Sequence, residues 1–277
     1  MRAFFDAHDR FFVLTGAGCS TGSGIPDYRD GAGAWKREPP MTFATFMSSE
    51  AARQRYWARS LIGWEKISAA KPNAAHKTLA ALEAQGRIPV LVTQNVDGLH
   101  QAAGSVNVVD LHGRIDALRC MGCGASFSRA AFQVELARLN PDFAALEAAR
   151  APDGDADLEG VDVSRFRIPP CPACGGVQKP DVVFFGESVP RERVDAAYAA
   201  VRAADAILVV GSSLMVWSGF RFIDEAARLK KPCAAINLGR TRADHLLTLK
   251  VEAECAEALG ALEWASRRPS GAPRGMR

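Results

Sequence analysis

The chain has 277 residues, 48% hydrophobic and 23% charged, with a formal net charge of +3. It is long enough for a sizeable core and about two domains, and so small a charge gives no electrostatic case for a nucleic-acid partner. No apolar run approaches the ~20 residues of a membrane span, and the stretch Met1 to Arg10, with Asp6, Asp9 and two arginines, is no secretory signal. Four of the seven cysteines lie in two CxxC pairs, which favours metal over disulfides and predicts a reducing, cytoplasmic setting.

The first predicted strand, Phe11–Thr15, is a short apolar run bounded by turn residues. Gly16-Ala17-Gly18-Cys19-Ser20-Thr21-Gly22-Ser23-Gly24-Ile25-Pro26-Asp27-Tyr28-Arg29 follows at once. Glycines after a strand let the backbone approach a phosphate, and a helix start supplies unpaired N–H donors. The usual dinucleotide fingerprint nevertheless fails, because Thr21 stands where its third glycine belongs. Residues 34–70, aromatic from Trp35 to Trp64, read as two or three inserted helices. Further strands are predicted at Ile88–Thr93, Asn107–Asp110, Val182–Phe185, Ala206–Val210, Cys233–Asn237 and Thr248–Val251. Helices are predicted at Ala74–Gln85, Arg191–Ala203, Phe220–Leu229 and Ala256–Ala265, with Gly86 as a cap and Pro190 as a helix start.

This alternation is the pattern of an α/β fold with a parallel sheet and crossover helices. The expected domain built on that sheet is discontinuous, over residues 1–33, 71–118 and 180–265. Inserts 34–70 and 119–179 form a smaller lobe, and 266–277 is a disordered basic tail. The acidic stretch Asp153, Asp155, Asp157, Glu159 and Asp162 reads as a solvated loop.

Five polar or glycine clusters end the predicted strands: Gly16-Ala17-Gly18, Gln94-Asn95-Val96-Asp97, His112-Gly113, Gly211-Ser212-Ser213 and Asn237-Leu238-Gly239. In an open parallel sheet such ends share one edge, and the ligand crevice lies outside it. Cys120, Cys123, Cys171 and Cys174 supply four thiols that fill a tetrahedral Zn²⁺ shell and leave no open position, so the ion is structural. An iron–sulfur cluster and a redox dithiol are the alternatives. Cys19 reads as filler, or else as a thiol whose pKa helix-end N–H groups lower. His112, at the crevice edge, is able to take a proton near neutral pH.

GAGCSTGSGIPDYR, TQNVDGLH, LHG, the two CxxC pairs, KPDVVFFGE, VVGSSL and INLG occur in that order over roughly residues 10–260. Together they resemble the sirtuins, the NAD⁺-dependent protein lysine deacylases. Tyr28, the segment Arg53–Arg59, Ala151-Pro152-Asp153-Gly154-Asp155 and the long insert between cysteine pairs look most like the class II, lipoamidase-type mitochondrial branch. The resemblance implies a Rossmann-like domain with NAD⁺ along the strand ends and an acyl-lysine tunnel between the lobes. It also implies attack of the acyl oxygen on C1′ of the nicotinamide ribose. His112 then acts as general base on a ribose hydroxyl, and the products are nicotinamide, O-acyl-ADP-ribose and free lysine.

By the same resemblance Asn95 and Asp97 orient the ribose and carboxamide, and Gln94 lies beside the ribose. Gly16, Ala17, Gly18, Ser20, Gly24, Ile25, Pro26, Asp27, Trp35 and Val96 belong to the cofactor-binding stretches, while Tyr28 and Arg29 sit in a loop that closes and excludes water. Gly211, Ser212, Ser213, Asn237, Leu238, Gly239 and Cys255 match the adenosine side. Val183, Phe184, Phe185, Gly186 and Glu187 resemble the stretch that pairs with the substrate backbone. Tyr56 and Arg59 share a face of a predicted helix and resemble the pair that grips an acidic acyl tail in desuccinylating sirtuins. Protein mono-ADP-ribosyl transfer is the alternative activity, and an NAD⁺-sensing module without turnover the non-enzymatic one. The implied partners are acylated lysines of proteins, with neither nucleic acid nor membrane, and a monomer is compatible.

Overall fold

The computed structural model describes residues 1–36, 39–146, 158 and 160–261. Helix α1 (Arg2–Asp6) leads into strand β1 (Phe11–Thr15), and α2 (Phe43–Ser48) and α3 (Glu50–Ser68) form the first insert. Next come α4 (Ala74–Ala84), β2 (Leu91–Thr93), α5 (Leu99–Ala102) and β3 (Val108–Asp110). The second insert contains β4 (Gly113–Cys120), β5 (Ser126–Ser128), α6 (Arg129–Leu139), α7 (Pro141–Ala144) and β6 (Gln178–Val182). The chain then runs through α8 (Arg191–Ala203), β7 (Ala206–Val210), α9 (Trp217–Arg228), β8 (Cys233–Ile236), β9 (Leu249–Val251) and α10 (Cys255–Gly260).

Six strands form one parallel sheet in the order β3-β2-β1-β7-β8-β9. Strand β1 is buried throughout, as its continuous apolar run requires when helices cover both faces. Phe11 and Val13 pack with Phe5, Leu79, Leu82 and Leu259 on one face, whereas Phe12 and Leu14 pack with Val201, Phe222 and Ile223 on the other. Each such side chain contributes about 1.5–3 kcal/mol by leaving water. The strand order reverses between β1 and β7, and a ligand crevice opens at such a point.

The two inserts share a core. Phe46, Trp57 and Leu61 of the first meet Leu118, Phe132 and Leu136 of the second. Arg129 is fully buried there, donating to the Ser60 carbonyl at 3.1 Å and to Gln133 Oε1 at 2.7 Å, with its guanidinium 4.6 Å from the centre of the Trp64 ring. A buried arginine is tolerable because carbonyls and aromatic faces replace its water.

One predicted strand is corrected. Val182–Phe185 is not a strand of the parallel sheet; the strand is Gln178–Val182, and it pairs antiparallel with β4 in a three-stranded sheet. Residues 183–185 make isolated bonds instead: Val183 N–H to the His112 carbonyl at 2.8 Å, and Phe43 N–H to the Phe185 carbonyl at 2.9 Å. Their apolar character serves packing, since Phe184 lies against Phe46 and Tyr56. Strand β2 starts later than expected because Pro89 has no N–H to give a ladder. Helix α9 starts three residues earlier, at Trp217 rather than Phe220. Asp153, Asp155, Asp157 and Glu159 of the acidic stretch, the segment Ala151–Asp155, the end of the last predicted helix and the basic tail lie outside the described residues, whereas Asp162 is described and exposed.

Gly113 joins the parallel sheet to β4 at φ +84°, and a Cβ there would stand 2.0 Å from the Asp181 carbonyl oxygen. Gly113→Ala is expected to cost more than about 2 kcal/mol of stability in urea unfolding, from positive-φ strain plus the clash.

Candidate active site

The loops that follow β1 and β7 touch through their backbones. Gly16 N–H donates to the Val210 carbonyl at 3.0 Å and Gly18 N–H to the Gly211 carbonyl at 2.8 Å. Gly211 has φ +62°, and a Cβ on it would lie 2.1 Å from Cys19 N. Asn73, the cap of α4, holds the loop from behind by donating to the Cys19 carbonyl at 2.8 Å and Ser23 Oγ at 3.0 Å. Above these turns opens a cleft of about 700 Å³.

Of the residues singled out for cofactor and substrate, all line this cleft except Gly24, Gly239 and Cys255. Gly24 turns the loop at φ +81°, and Gly239 packs against Gly31. Cys255 is buried in the core with its thiol toward the Ile236 carbonyl at 3.7 Å. The cleft also takes in Ser218 and Arg221, which the sequence reading missed. Both belong to the opening turn and a half of α9, where Trp-Ser-Gly carries no helix-start signal.

Ser20 organises the polar floor. Its hydroxyl donates to Asp97 Oδ2 at 2.7 Å and accepts from Asn95 Nδ2 at 3.0 Å, while Asn95 also donates to the Gly16 carbonyl at 3.0 Å. Leu99 N–H holds Asp97 Oδ1 at 2.9 Å, and Ser212 Oγ donates to Gln94 Oε1 at 2.6 Å. Ser212 Oγ in turn accepts from the N–H of Leu214, a non-glycine residue held at φ +58°.

His112 Nδ1 lies 3.0 Å from the Gln94 carbonyl oxygen, which only accepts, so Nδ1 carries the proton. Nε2 is therefore the base, and Ser218 Oγ donates to it at 2.8 Å. Burial pushes the His112 pKa down to about 4; Arg193 and Arg221 add to this, and the Gln94 carbonyl opposes it. The imidazole is neutral at pH 7 and ready to accept a proton.

Beneath Ser20 the ligating atoms of Cys19, His76 and His100 lie within 4.8 Å of one another. Thr15 Oγ1 donates to Thr93 Oγ1 and so accepts from His100 Nε2 at 2.8 Å, and His76 Nδ1 accepts from Asn73 N–H at 3.4 Å. Nε2 of both rings thus carries hydrogen, and the cluster is a hydrogen-bonded support rather than a ligand set. Burial pushes His100 down to about 3. Burial first, then Cys255 and Asp97, push the Cys19 thiol well up, which overturns a lowered pKa for Cys19.

The donor set fits NAD⁺. Among the described residues the backbone N–H groups of Ala17, Ser212 and Ser213 have no acceptor, and they lie in turns lining the cleft. Hydroxyl, amide and carboxylate groups of Ser20, Asn95 and Asp97 suit a ribose and a carboxamide. Over them the Arg29 guanidinium stacks 3.8 Å from the Trp35 ring centre and bonds the Gly33 carbonyl at 2.7 Å, closing a small flap.

The four-cysteine cluster fits zinc. Cys120 and Cys174 sulfurs stand 3.5 Å apart and those of Cys123 and Cys171 3.8 Å, close to the ~3.8 Å that tetrahedral Zn–S bonds of about 2.3 Å require. The N–H groups of Gly122 and Gly176 donate to Cys120 and Cys174, each at 3.4 Å.

A family model described as "Sir2 family" matches residues 16–218. The chain belongs to the Sir2 family, the sirtuins. This sirtuin is 64% identical over 262 residues to the NAD-dependent protein deacetylase of Xanthomonas axonopodis pv. citri (strain 306), covering 95% of this chain and 89% of that protein. It is 62% identical to the NAD-dependent protein deacetylase of Bordetella bronchiseptica (strain ATCC BAA-588 / NCTC 13252 / RB50), covering 94% of each. Among solved structures it resembles one described as Sir2 with a p53 peptide and NAD+, at 29% identity and TM-score 0.75, covering 94% of this chain and 95% of that chain. Another, described as Sir2 bound to acetylated peptide, matches at 28% identity and TM-score 0.74 over the same shares. The sirtuin is thus an NAD-dependent enzyme with a Rossmann-like domain, and its cysteine cluster fits the structural zinc. No helix among the described residues is long and apolar enough to cross a membrane.

Purified protein is expected to hold one zinc per chain by elemental analysis. Cys171→Ser should lose it and melt at a lower temperature. The histidines set a pH dependence. Folded His112 and His100 titrate at about 4 and about 3, below the ~6.5 of an unfolded histidine. Between pH 6.5 and 4 the unfolded chain binds more protons, so stability falls as pH falls, and above 6.5 the two groups contribute no slope. Urea midpoints should drop across that window, less steeply in His112→Asn.

Proposed function

We propose that this sirtuin removes acyl groups from protein lysines with consumption of NAD⁺, taking acetyl-lysine and also carboxylated or branched acyl chains. The observation that carries the reading is the unprotonated His112 Nε2, in the same cleft as the Ser20–Asn95–Asp97 floor and the Val183–Phe184 wall. Bound NAD⁺ supplies an electrophilic ribose carbon, a nicotinamide leaving group and an acidic hydroxyl. The chain's own residues do the rest. The Gln94 carbonyl fixes the His112 tautomer, and Nε2 takes the hydroxyl proton. Asp97 and Asn95, locked by Ser20, orient the sugar and the amide. The Arg29–Trp35 flap keeps water from a carbon that water would otherwise capture. Phe185, packed on Trp35, borders the lysine entrance.

The relatives' shared name, deacetylase, favours acyl removal over mono-ADP-ribosyl transfer. Tyr56 and Arg59 both line the cleft, one helical turn apart, which supports recognition of a carboxylate by the guanidinium. Tyr28 and the segment Arg53–Arg59 support the class II, lipoamidase-type branch. The reduced thiols of the zinc cluster support a cytoplasmic location.

The test is a panel of acetyl-, glutaryl- and lipoyl-lysine peptides, incubated with and without NAD⁺ and read by mass. Deacylated peptide and O-acyl-ADP-ribose are expected only with NAD⁺, and His112→Ala should cut turnover by about 10² or more. Arg59→Met should depress glutaryl removal more than acetyl removal. Absence of nicotinamide release with every peptide overturns the activity, and equal losses in Arg59→Met overturn the acyl preference.

A further inference from the structure

We propose that Ser218 is a proton-relay residue, passing the proton of the reacting hydroxyl to His112 rather than merely bordering the cleft; this rests on the deacylase reading above. Three observations converge on it. The Ser218 hydroxyl lies 2.8 Å from His112 Nε2, the one ring nitrogen left to act as base once Nδ1–H is committed to the Gln94 carbonyl. The opening turn of α9 is pressed onto the end of β2, since a Cβ at Gly219 would stand 2.6 Å from Gln94 Nε2, and this fixes where Ser218 sits. Ser218 itself lines the cleft, so the oxygen that gives its proton to His112 retains lone pairs for a hydroxyl arriving there.

The transfer balances. As Ser218 Oγ–H breaks and His112 Nε2–H forms, Ser218 Oγ takes a proton from the incoming hydroxyl, whose oxygen keeps its electron pair and becomes the nucleophile. Ser218 ends as it began, and His112 ends as imidazolium. The charged groups acting on that ring are Arg193 from α8 and Arg221 from α9. Both resist a lasting positive charge, so His112 hands the proton on. Nicotinamide departure comes before any base is needed, and the relay therefore touches only the later step.

Wild type, Ser218→Ala, Ser218→Thr and His112→Ala are compared in two assays: exchange of labelled nicotinamide into NAD⁺, and formation of O-acyl-ADP-ribose. Ser218→Ala should lose about tenfold or more in product formation, in the direction of His112→Ala, with a much smaller loss in exchange. Ser218→Thr, which keeps the hydroxyl, should recover most of it. In the cofactor-free protein, His112 followed by NMR should titrate at higher pH in Ser218→Ala, because the hydroxyl donated to the neutral ring. Equal losses in both assays, no loss in product formation, or an unmoved His112 titration overturns the relay. If the wild type exchanges no nicotinamide, the deacylase reading falls instead.

Discussion

Everything at the cleft depends on two backbones touching where the sheet reverses its order. Gly18 and Gly211 meet with no side chain between them, and a single methyl there would intrude on Cys19 N. That contact aligns the loop after β1 with the loop after β7. It aims the Ala17, Ser212 and Ser213 donors into one space and brings Ser20 down onto Asn95 and Asp97. A wider turn would separate the groups that have to act on one ligand. The helices on either side serve this contact: their cores hold β1 and β7 flat against each other.

The site uses neutral and charged groups with care. His112 is kept uncharged by burial and by two neighbouring arginines, which makes it a base that does not compete as a resident cation. One layer below, His76 and His100 are buried and held otherwise: His76 Nδ1 accepts from Asn73 N–H, and His100 Nε2 donates to Thr15 Oγ1. The three rings are of one residue type and differ in their hydrogen bonds. Only His112 meets the cleft with its acceptor nitrogen, through the Ser218 hydroxyl.

Much of this was legible in the residues. Strand ends such as Gly16-Ala17-Gly18 and Gln94-Asn95-Val96-Asp97 are marked by a change from apolar to polar within one position, which turn chemistry explains. The four-thiol cluster was legible in the two CxxC spacings, which by themselves left an iron–sulfur cluster and a redox dithiol open beside zinc. The failures are equally physical. Val182–Phe185 has strand-like residues, yet its apolar side chains pack on Tyr56 and Phe46, and its backbone makes single bonds to two different elements. Strand β4 has no clean alternation, and β5 is only three residues long, because both are set in a small lobe whose core comes from distant helices. Ser218 was invisible because nothing in Trp-Ser-Gly announces a helix start; only Gly219 against Gln94 reveals why the turn is there.

Lys179 has an influence beyond its size. Its ammonium, almost without solvent exposure, reaches Glu187 Oε2 at 3.1 Å, and that carboxylate also accepts from Phe184 N–H at 2.9 Å. The same ammonium bonds the Val182 and Pro180 carbonyls. Lys179 belongs to the strand that leaves the cysteine cluster, so one electrostatic rivet ties the three-stranded sheet to the cleft wall at Phe184 and Glu187. Order at the four cysteines is thereby coupled, through one buried ammonium, to the position of that wall.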